Sequence, residues 1–170
     1  RLFLTLLAIA ILLLALGGWS VAALRAAPST LNLVKERLLA WYARNKRPLP
    51  WRETTDPYAI LVSEVMLQQT QVERVIPRWR AWLEKWPTVE SLAAASAGDV
   101  IVDWQGLGYN RRALNLHRAA QHVAAHGWPD DLTELPGVGR YTADAVACFA
   151  FGRDVLPVDV NVRRIQERTG

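Results

Sequence analysis

Leu135-Pro136-Gly137-Val138-Gly139-Arg140-Tyr141-Thr142-Ala143-Asp144-Ala145, followed eighteen residues after Tyr141 by Asp159, decides how this chain reads. Two glycines stand between an apolar Leu-Pro pair and an alanine-rich stretch with the composition of a helix. A Gly-x-Gly turn lets the backbone take positive φ and removes the Cβ atoms that would hold a ligand away. Backbone N–H groups at such a turn, beside the positive end of a helix, make an anion site. No lysine of the Walker type follows, so a nucleoside triphosphate fits poorly. A nucleic-acid phosphate fits better, with Gly137, Val138, Gly139, Arg140 and Thr142 as the residues placed to meet it.

Composition says less. The 170 residues carry a formal charge of +4. Arg1 and Arg25 flank the first apolar segment, which leaves 18 basic and 16 acidic residues over 31–170. Such a balance is weak support for a polyanion partner. Affinity for DNA would have to come from local runs: Arg44, Lys46, Arg47 and Arg52; Arg111 and Arg112; Arg163 and Arg164. Each run alone is better explained by a solvated helix end. The single cysteine, Cys148, excludes an intrachain disulfide and any cysteine-rich metal site within the chain. His122 and His126 lie four apart, with His117 nearby, but no carboxylate falls in register. A polar helix face is therefore the better reading than a metal site, and no metal ligands are expected in this chain.

Residues 2–24 carry no charge and are long enough to span a bilayer or to serve as a signal segment. Three readings stay open for residues 1–25: a membrane anchor, a removed signal, or translated sequence foreign to the functional protein. Residues 26–30, with Pro28 and Ser29, read as a linker.

From Leu31 onward the apolar residues keep helical spacing and no alternating strand is evident, so residues 31–170 predict an all-α domain. Leu31, Val34, Leu38, Leu39, Trp41 and Tyr42 stripe one helix, which Pro48 and Pro50 end. Asp56 before Pro57 predicts an N-cap with proline at the first helical position, opening the helix of Glu64. Thr70 is expected to cap a helix running through Trp79, Trp82 and Trp86. Ser96 and Asp99 have the spacing of a capping box. Gly106-Leu107-Gly108-Tyr109 breaks the pattern before a helix from about Arg111 to His126. Further helices are expected from Tyr141 to about Phe151 and after Asp159.

Two carboxylates stand out. Glu64 has Ile60 and Leu61 one turn before it and Leu67 one turn after, so its carboxyl emerges among apolar side chains. Burial there disfavours the charged form and suits a general acid. Asp159 precedes Val160-Asn161-Val162 and reads as a helix N-cap, where backbone donors and the helix dipole keep a carboxylate ionised. One carboxyl kept protonated and one kept charged is the division of labour that cleaves a glycosidic bond.

Residues from about 33 to 168 resemble the catalytic domain of the adenine DNA glycosylases, the MutY family, within the helix-hairpin-helix glycosylase superfamily that also holds endonuclease III. The matching blocks are Leu49-Pro50-Trp51-Arg52, Asp56-Pro57-Tyr58, Ser63 to Val72, Gly106-Leu107-Gly108-Tyr109, Asn115-Leu116-His117, Leu135 to Ala143, and Asp159 with Asn161. The resemblance implies a helix-hairpin-helix glycosylase fold, here incomplete at its C-terminal end, and a monofunctional base-excision enzyme that removes adenine opposite 8-oxoguanine or guanine. It implies that Glu64 protonates the purine, that Asp159 stabilises the oxocarbenium-like sugar, and that Asn161 positions Asp159. Trp51, Arg52 and Leu67 would line the pocket for the extruded base, and Gln69 and Tyr109 would wedge the base stack, since the target base must leave the duplex to be reached. Tyr141 matches the position where bifunctional relatives carry a Schiff-base lysine, and a phenol cannot form an imine.

The partner so implied is double-stranded DNA containing a mismatch or oxidised guanine, met by a monomer in the cytoplasm, a location at odds with the apolar N-terminus. A [4Fe–4S] cluster is expected in the full-length family member, with its four cysteines outside this chain. Val160 stands where the family often has glycine, and Asn110 where it has a second tyrosine. Two further readings stay open: a thymine or uracil mismatch glycosylase, and a non-catalytic helix-hairpin-helix module, against which the intact Glu64 and Asp159 speak.

Overall fold

The structure, a computed structural model, describes residues 30–169. The apolar segment 1–25 and most of the following linker lie outside the described residues. The chain divides into two compact units, 1–47 and 48–170.

The described part of the first unit is one helix, α1 (Thr30–Asn45). It ends before the prolines, as expected, and side chains of its last turn fold back onto its carbonyls. Arg44 Nε donates to the Ala40 carbonyl at 3.2 Å and Asn45 Nδ2 to that of Trp41 at 2.8 Å. The stripe residues Val34, Leu38, Leu39 and Trp41 are exposed.

The second unit is built around α2 (Pro57–Leu67). Asp56 caps it as the sequence predicts, one carboxylate oxygen accepting from the Tyr58 N–H at 3.0 Å and the other from Ala59 at 3.3 Å. Tyr58 through Ser63, Val65 and Met66 are all buried. A helix apolar all round must be surrounded. α2 packs against a single 3-10 turn at Pro50–Arg52, α3 (Val72–Lys85), α6 (Arg111–His126) and α7 (Arg140–Phe149). α6 in turn covers two short helices, α4 (Val89–Ala93) and α5 (Ala97–Asp103). A second 3-10 turn at Leu132–Glu134 leads into α7, and α8 (Val160–Thr169) follows. No strand occurs among the described residues.

Tryptophans pin α2 to α3. Trp79 Nε1 donates to the Ala59 carbonyl at 2.8 Å. Trp82 Nε1 donates to the Tyr58 hydroxyl, which itself donates to the Trp86 carbonyl, both at 3.1 Å. Each ring thus buries a large area while its one polar atom keeps a partner.

The caps differ from expectation in two places. Thr70 does not cap α3; the N-cap is Gln71, without a side-chain bond. Gln69 takes a left-handed conformation, with φ of 56°, which delays the helix start and turns the Thr70 hydroxyl back onto the Gln68 carbonyl. Ser96 accepts from the Asp99 N–H at 3.1 Å and donates to its carboxylate at 2.7 Å, which is half a capping box. The full reciprocal box lies at Thr88 and Ser91, opening α4.

Candidate active site

Glu64 sits on α2, half-buried, and burial pushes its carboxyl above the usual glutamate range. The Tyr141 side chain nearby pulls the other way and is the smaller effect. The Tyr141 phenol lies in the first turn of α7, and α7 packs on α2. Burial first, then the charges of Glu64 and Asp159, raise its pKa to about 12. The phenol therefore keeps its proton at any working pH, and its side chain favours the charged form of Glu64.

Asp159 is shifted the other way, by hydrogen bonds to its charged form. Its Oδ1 accepts from the backbone N–H of Asn161 at 2.9 Å and of Val162 at 2.7 Å, capping α8. The Asn161 side chain donates to its Oδ2 at 3.3 Å. The backbone bond from Val162 is the largest cause holding this carboxyl below the ordinary aspartate value. Glu64 and Asp159, 95 positions apart in sequence, thus meet electrostatically at one phenol.

The hairpin between the second 3-10 turn and α7 corrects one expectation. Only Gly137 takes positive φ, at 76°; Gly139 is the N-cap of α7 with φ −84° and ψ 171°, which any residue adopts. A Cβ on Gly137 would stand 2.6 Å from Asn115 Cβ and Nδ2, whereas one on Gly139 meets nothing within 4 Å. Val138 and Thr142 are buried, so neither side chain is offered to a phosphate, and the Val138 N–H is spent on the Leu135 carbonyl. The donors left at this helix end belong to the first turn: Arg140, Tyr141 and Thr142 have N–H groups with no intrahelical acceptor. The Arg140 side chain is exposed, its Nε 3.4 Å from an Asp144 carboxylate oxygen.

The two glycines should consequently respond differently. Gly137→Ala combines left-handed strain with a clash against Asn115 and is expected to lower stability by about 2 kcal/mol or more. Gly139→Ala should change stability by less than about 1 kcal/mol yet weaken DNA binding, because its new methyl group projects into open approach space. Denaturant unfolding and duplex titration of both variants check this; equal stability loss at both positions would contradict it.

Among the described residues two non-glycine residues adopt left-handed backbone: Gln69 and Tyr109, at φ of 56° and 50°. Each costs about 1–2 kcal/mol relative to an ordinary conformation, and both side chains are exposed. Leu67 is half-buried at the end of α2. Trp51 is buried and packs edge-on against Trp79 with centroids 6.0 Å apart, while Arg52 beside it is exposed.

Arg112 does not belong with the surface cations. Its guanidinium turns inward and donates to the carbonyls of Val65, Met66, Gln68, Leu107 and Gly108. Its N-terminal neighbour Arg111 is exposed. A shift of one residue, roughly 100° around a helix, separates the two fates. Asn115 was likewise visible only as part of a sequence block; its role against Gly137 depends on α6 reaching the hairpin.

The iron–sulfur cluster that the family resemblance implies would be held by four cysteine thiolates. Cys148 is the chain's single cysteine, and the described residues hold no cluster of His, Cys, Asp or Glu suited to a metal ion. The residues present do not fit such a group. His117 is buried beside Gln121, and the rings of His122 and His126 lie 4.9 Å apart without a carboxylate.

A glycine hairpin thus feeds α7, with a half-buried carboxyl on α2 and a capping aspartate at the start of α8. Residues 62–170 match the HhH-GPD superfamily of base excision DNA repair proteins, and the chain belongs to this superfamily. A Mycobacterium tuberculosis protein named adenine DNA glycosylase is 53% identical over 138 residues, covering 77% of this chain and 45% of that protein. The human protein of the same name is 46% identical over 143 residues, 75% of this chain and 26% of its own length. This chain thus spans less than half the length of these relatives. Among solved structures, a thermostable thymine-DNA glycosylase superposes with a TM-score of 0.72 at 31% identity, over 78% of this chain and 64% of its own. A trapped endonuclease III–DNA covalent intermediate gives 0.67 at 25% identity, again over 78% of this chain and 64% of its own.

Among the described residues no helix is long and apolar enough to cross a membrane.

Proposed function

We propose that residues 31–170 form the catalytic domain of a monofunctional DNA glycosylase that hydrolyses the N-glycosidic bond of adenine mispaired with 8-oxoguanine or guanine. The observation that carries this reading is the placing of Glu64 and Asp159 about the Tyr141 phenol, with burial shifting the first carboxyl up and hydrogen bonds from Asn161 and Val162 shifting the second down. Glu64, kept protonated, gives its proton to the ring nitrogen N7, so the purine leaves as a neutral base. Asp159, kept ionised, faces the positive charge that grows on the sugar as the bond to N9 breaks. Water then adds to the anomeric carbon and gives up a proton to solvent, and Glu64, left as a carboxylate, takes one back from solvent. Asn161 holds the Asp159 carboxylate in place. Phosphates meet the first turn of α7, Gln69 and Tyr109 enter the stack, and Trp51, Arg52 and Leu67 border the extruded base. The partner is double-stranded DNA, engaged by a monomer in the cytoplasm.

Adenine is favoured as the excised base by the likeness to relatives named adenine DNA glycosylase. A second reading, removal of thymine opposite guanine, draws on the likeness to a thymine-DNA glycosylase structure. One assay separates them. The full-length protein is mixed with duplexes holding adenine opposite 8-oxoguanine, adenine opposite guanine, or thymine opposite guanine, and free base is measured with borohydride present or absent. Adenine should be released from the first two duplexes, with no strand nicking and little trapped adduct, because Tyr141 replaces the lysine an imine needs. Thymine release alone would support the second reading. Efficient borohydride trapping would overturn the monofunctional one, and tight binding without release of any base would reduce the domain to a DNA-binding module.

A further inference from the structure

We propose that Arg112 is a positioning residue that fixes Gln69 and Tyr109 together, by clamping the peptide unit that precedes each of them. This rests on the reading that those two side chains enter the base stack. The Gln68 carbonyl belongs to the peptide leading into Gln69, and the Gly108 carbonyl to the peptide leading into Tyr109. Both accept from the one guanidinium: Nη1 at 2.5 Å from the Gln68 oxygen and Nη2 at 3.1 Å from the Gly108 oxygen. Nη1 also reaches the carbonyls of Val65 at 2.9 Å and Met66 at 3.3 Å, so it caps the C-terminal turn of α2. Nη2 also reaches the Leu107 carbonyl at 2.8 Å and the Thr70 hydroxyl at 3.4 Å.

Gln69 and Tyr109 are the non-glycine residues with positive φ among the described residues. Two strained conformations, 40 positions apart in sequence, thus share a single restraint. Left-handed backbone at such residues persists only where the surroundings over-determine it. The clamp is reinforced from both sides. Arg112 Cζ lies 5.7 Å from the centroid of the Tyr109 ring and 5.4 Å from that of Trp104, and Trp104 Nε1 donates to the same Gly108 carbonyl at 3.0 Å. A lysine could not substitute, because an ammonium is a point donor, while the planar fork of arginine spans two loops at once.

The test compares Arg112→Lys and Arg112→Met with wild type in the full-length protein, using duplexes with 2-aminopurine beside the target base to follow unstacking. Both variants should bind undamaged duplex within about threefold of wild type, since phosphate contacts are untouched. Unstacking and base release on the paired mismatch should fall by about tenfold or more, because misplaced wedges no longer open the stack. On a substrate whose target base already sits in an unpaired bulge, the loss should shrink to about threefold or less. Equal losses on paired and bulged substrates would mean a merely structural role and overturn the proposal, as would full rescue by lysine. If Arg112→Met does not fold, Arg112→Lys carries the same comparison. Gln69→Ala and Tyr109→Ala are measured alongside. Wild-type unstacking in those two variants would sink the wedge reading and the clamp with it. Slow unstacking there, with normal unstacking in both Arg112 variants, would sink the clamp alone.

Discussion

Glu64→Gln should abolish base release while leaving duplex affinity nearly unchanged. The amide keeps the shape of the carboxyl and can still meet the Tyr141 phenol, but it has no proton acidic enough to give the leaving base. General acids of this kind contribute roughly 10²–10⁴-fold to a rate, or about 3–5 kcal/mol in the barrier. The measurement is single-turnover release of base from a mismatched duplex, paired with a titration of the same duplex. Release within about tenfold of wild type, some 1.4 kcal/mol, would remove Glu64 as the acid. Loss of binding in parallel with release would instead make Glu64 a structural residue at the centre of α2. The stability of the variant carries its own sign. Burial raises the folded-state pKa of Glu64 above its unfolded value, so the protonated carboxyl is the form the fold favours. Its penalty on stability is absent below the unfolded value, appears as pH rises through the two values and is complete above the raised one. Glu64→Gln never ionises and should therefore be at least as stable as wild type at neutral pH.

How far the sequence disclosed this site depends on whether local chemistry or tertiary contact decided each feature. Asp56-Pro57 was legible because a cap and its proline act within four residues. Glu64 was legible because its apolar neighbours recur at the helical period. The start of α3 was not: a threonine in the right place loses to Gln71 because Gln69 is held left-handed by bonds reaching from α6. The two hairpin glycines look alike in sequence, and Asn115, on a distant helix, determines which one is obligatory. Arg111 and Arg112 are likewise indistinguishable as letters; their positions around α6 send one to solvent and the other to five carbonyls. The meeting of Tyr141 with both carboxyls could be anticipated only through the family resemblance, since nothing within its own helix points to either.

The pH profile of base release should be broad, with limbs set by two different carboxyls. In the proposed mechanism the productive state has Glu64 protonated and Asp159 ionised. With ordinary values, glutamate near 4.3 and aspartate near 3.9, that state would dominate only over a sliver of pH. Burial moves Glu64 up, and the bonds from Val162 and Asn161 move Asp159 down, so the structure widens the window from both ends. Above the raised Glu64 value the rate should fall about tenfold per pH unit, as the acid is lost. Below the depressed Asp159 value it should fall again, as the countercharge is neutralised. Asp159→Asn should remove the acid limb and cost about 10²–10³ in rate at the plateau, the usual scale for losing one aligned electrostatic partner of the transition state. Tyr141→Phe then separates the two causes acting on Glu64. The phenol stabilises the charged carboxylate and so opposes the upward shift caused by burial. Its removal should move the alkaline limb to higher pH while leaving the acid limb in place. An alkaline limb that stays put, or moves down, would mean that the group titrating there is not Glu64, and the assignment of acid and countercharge to this pair would have to be abandoned.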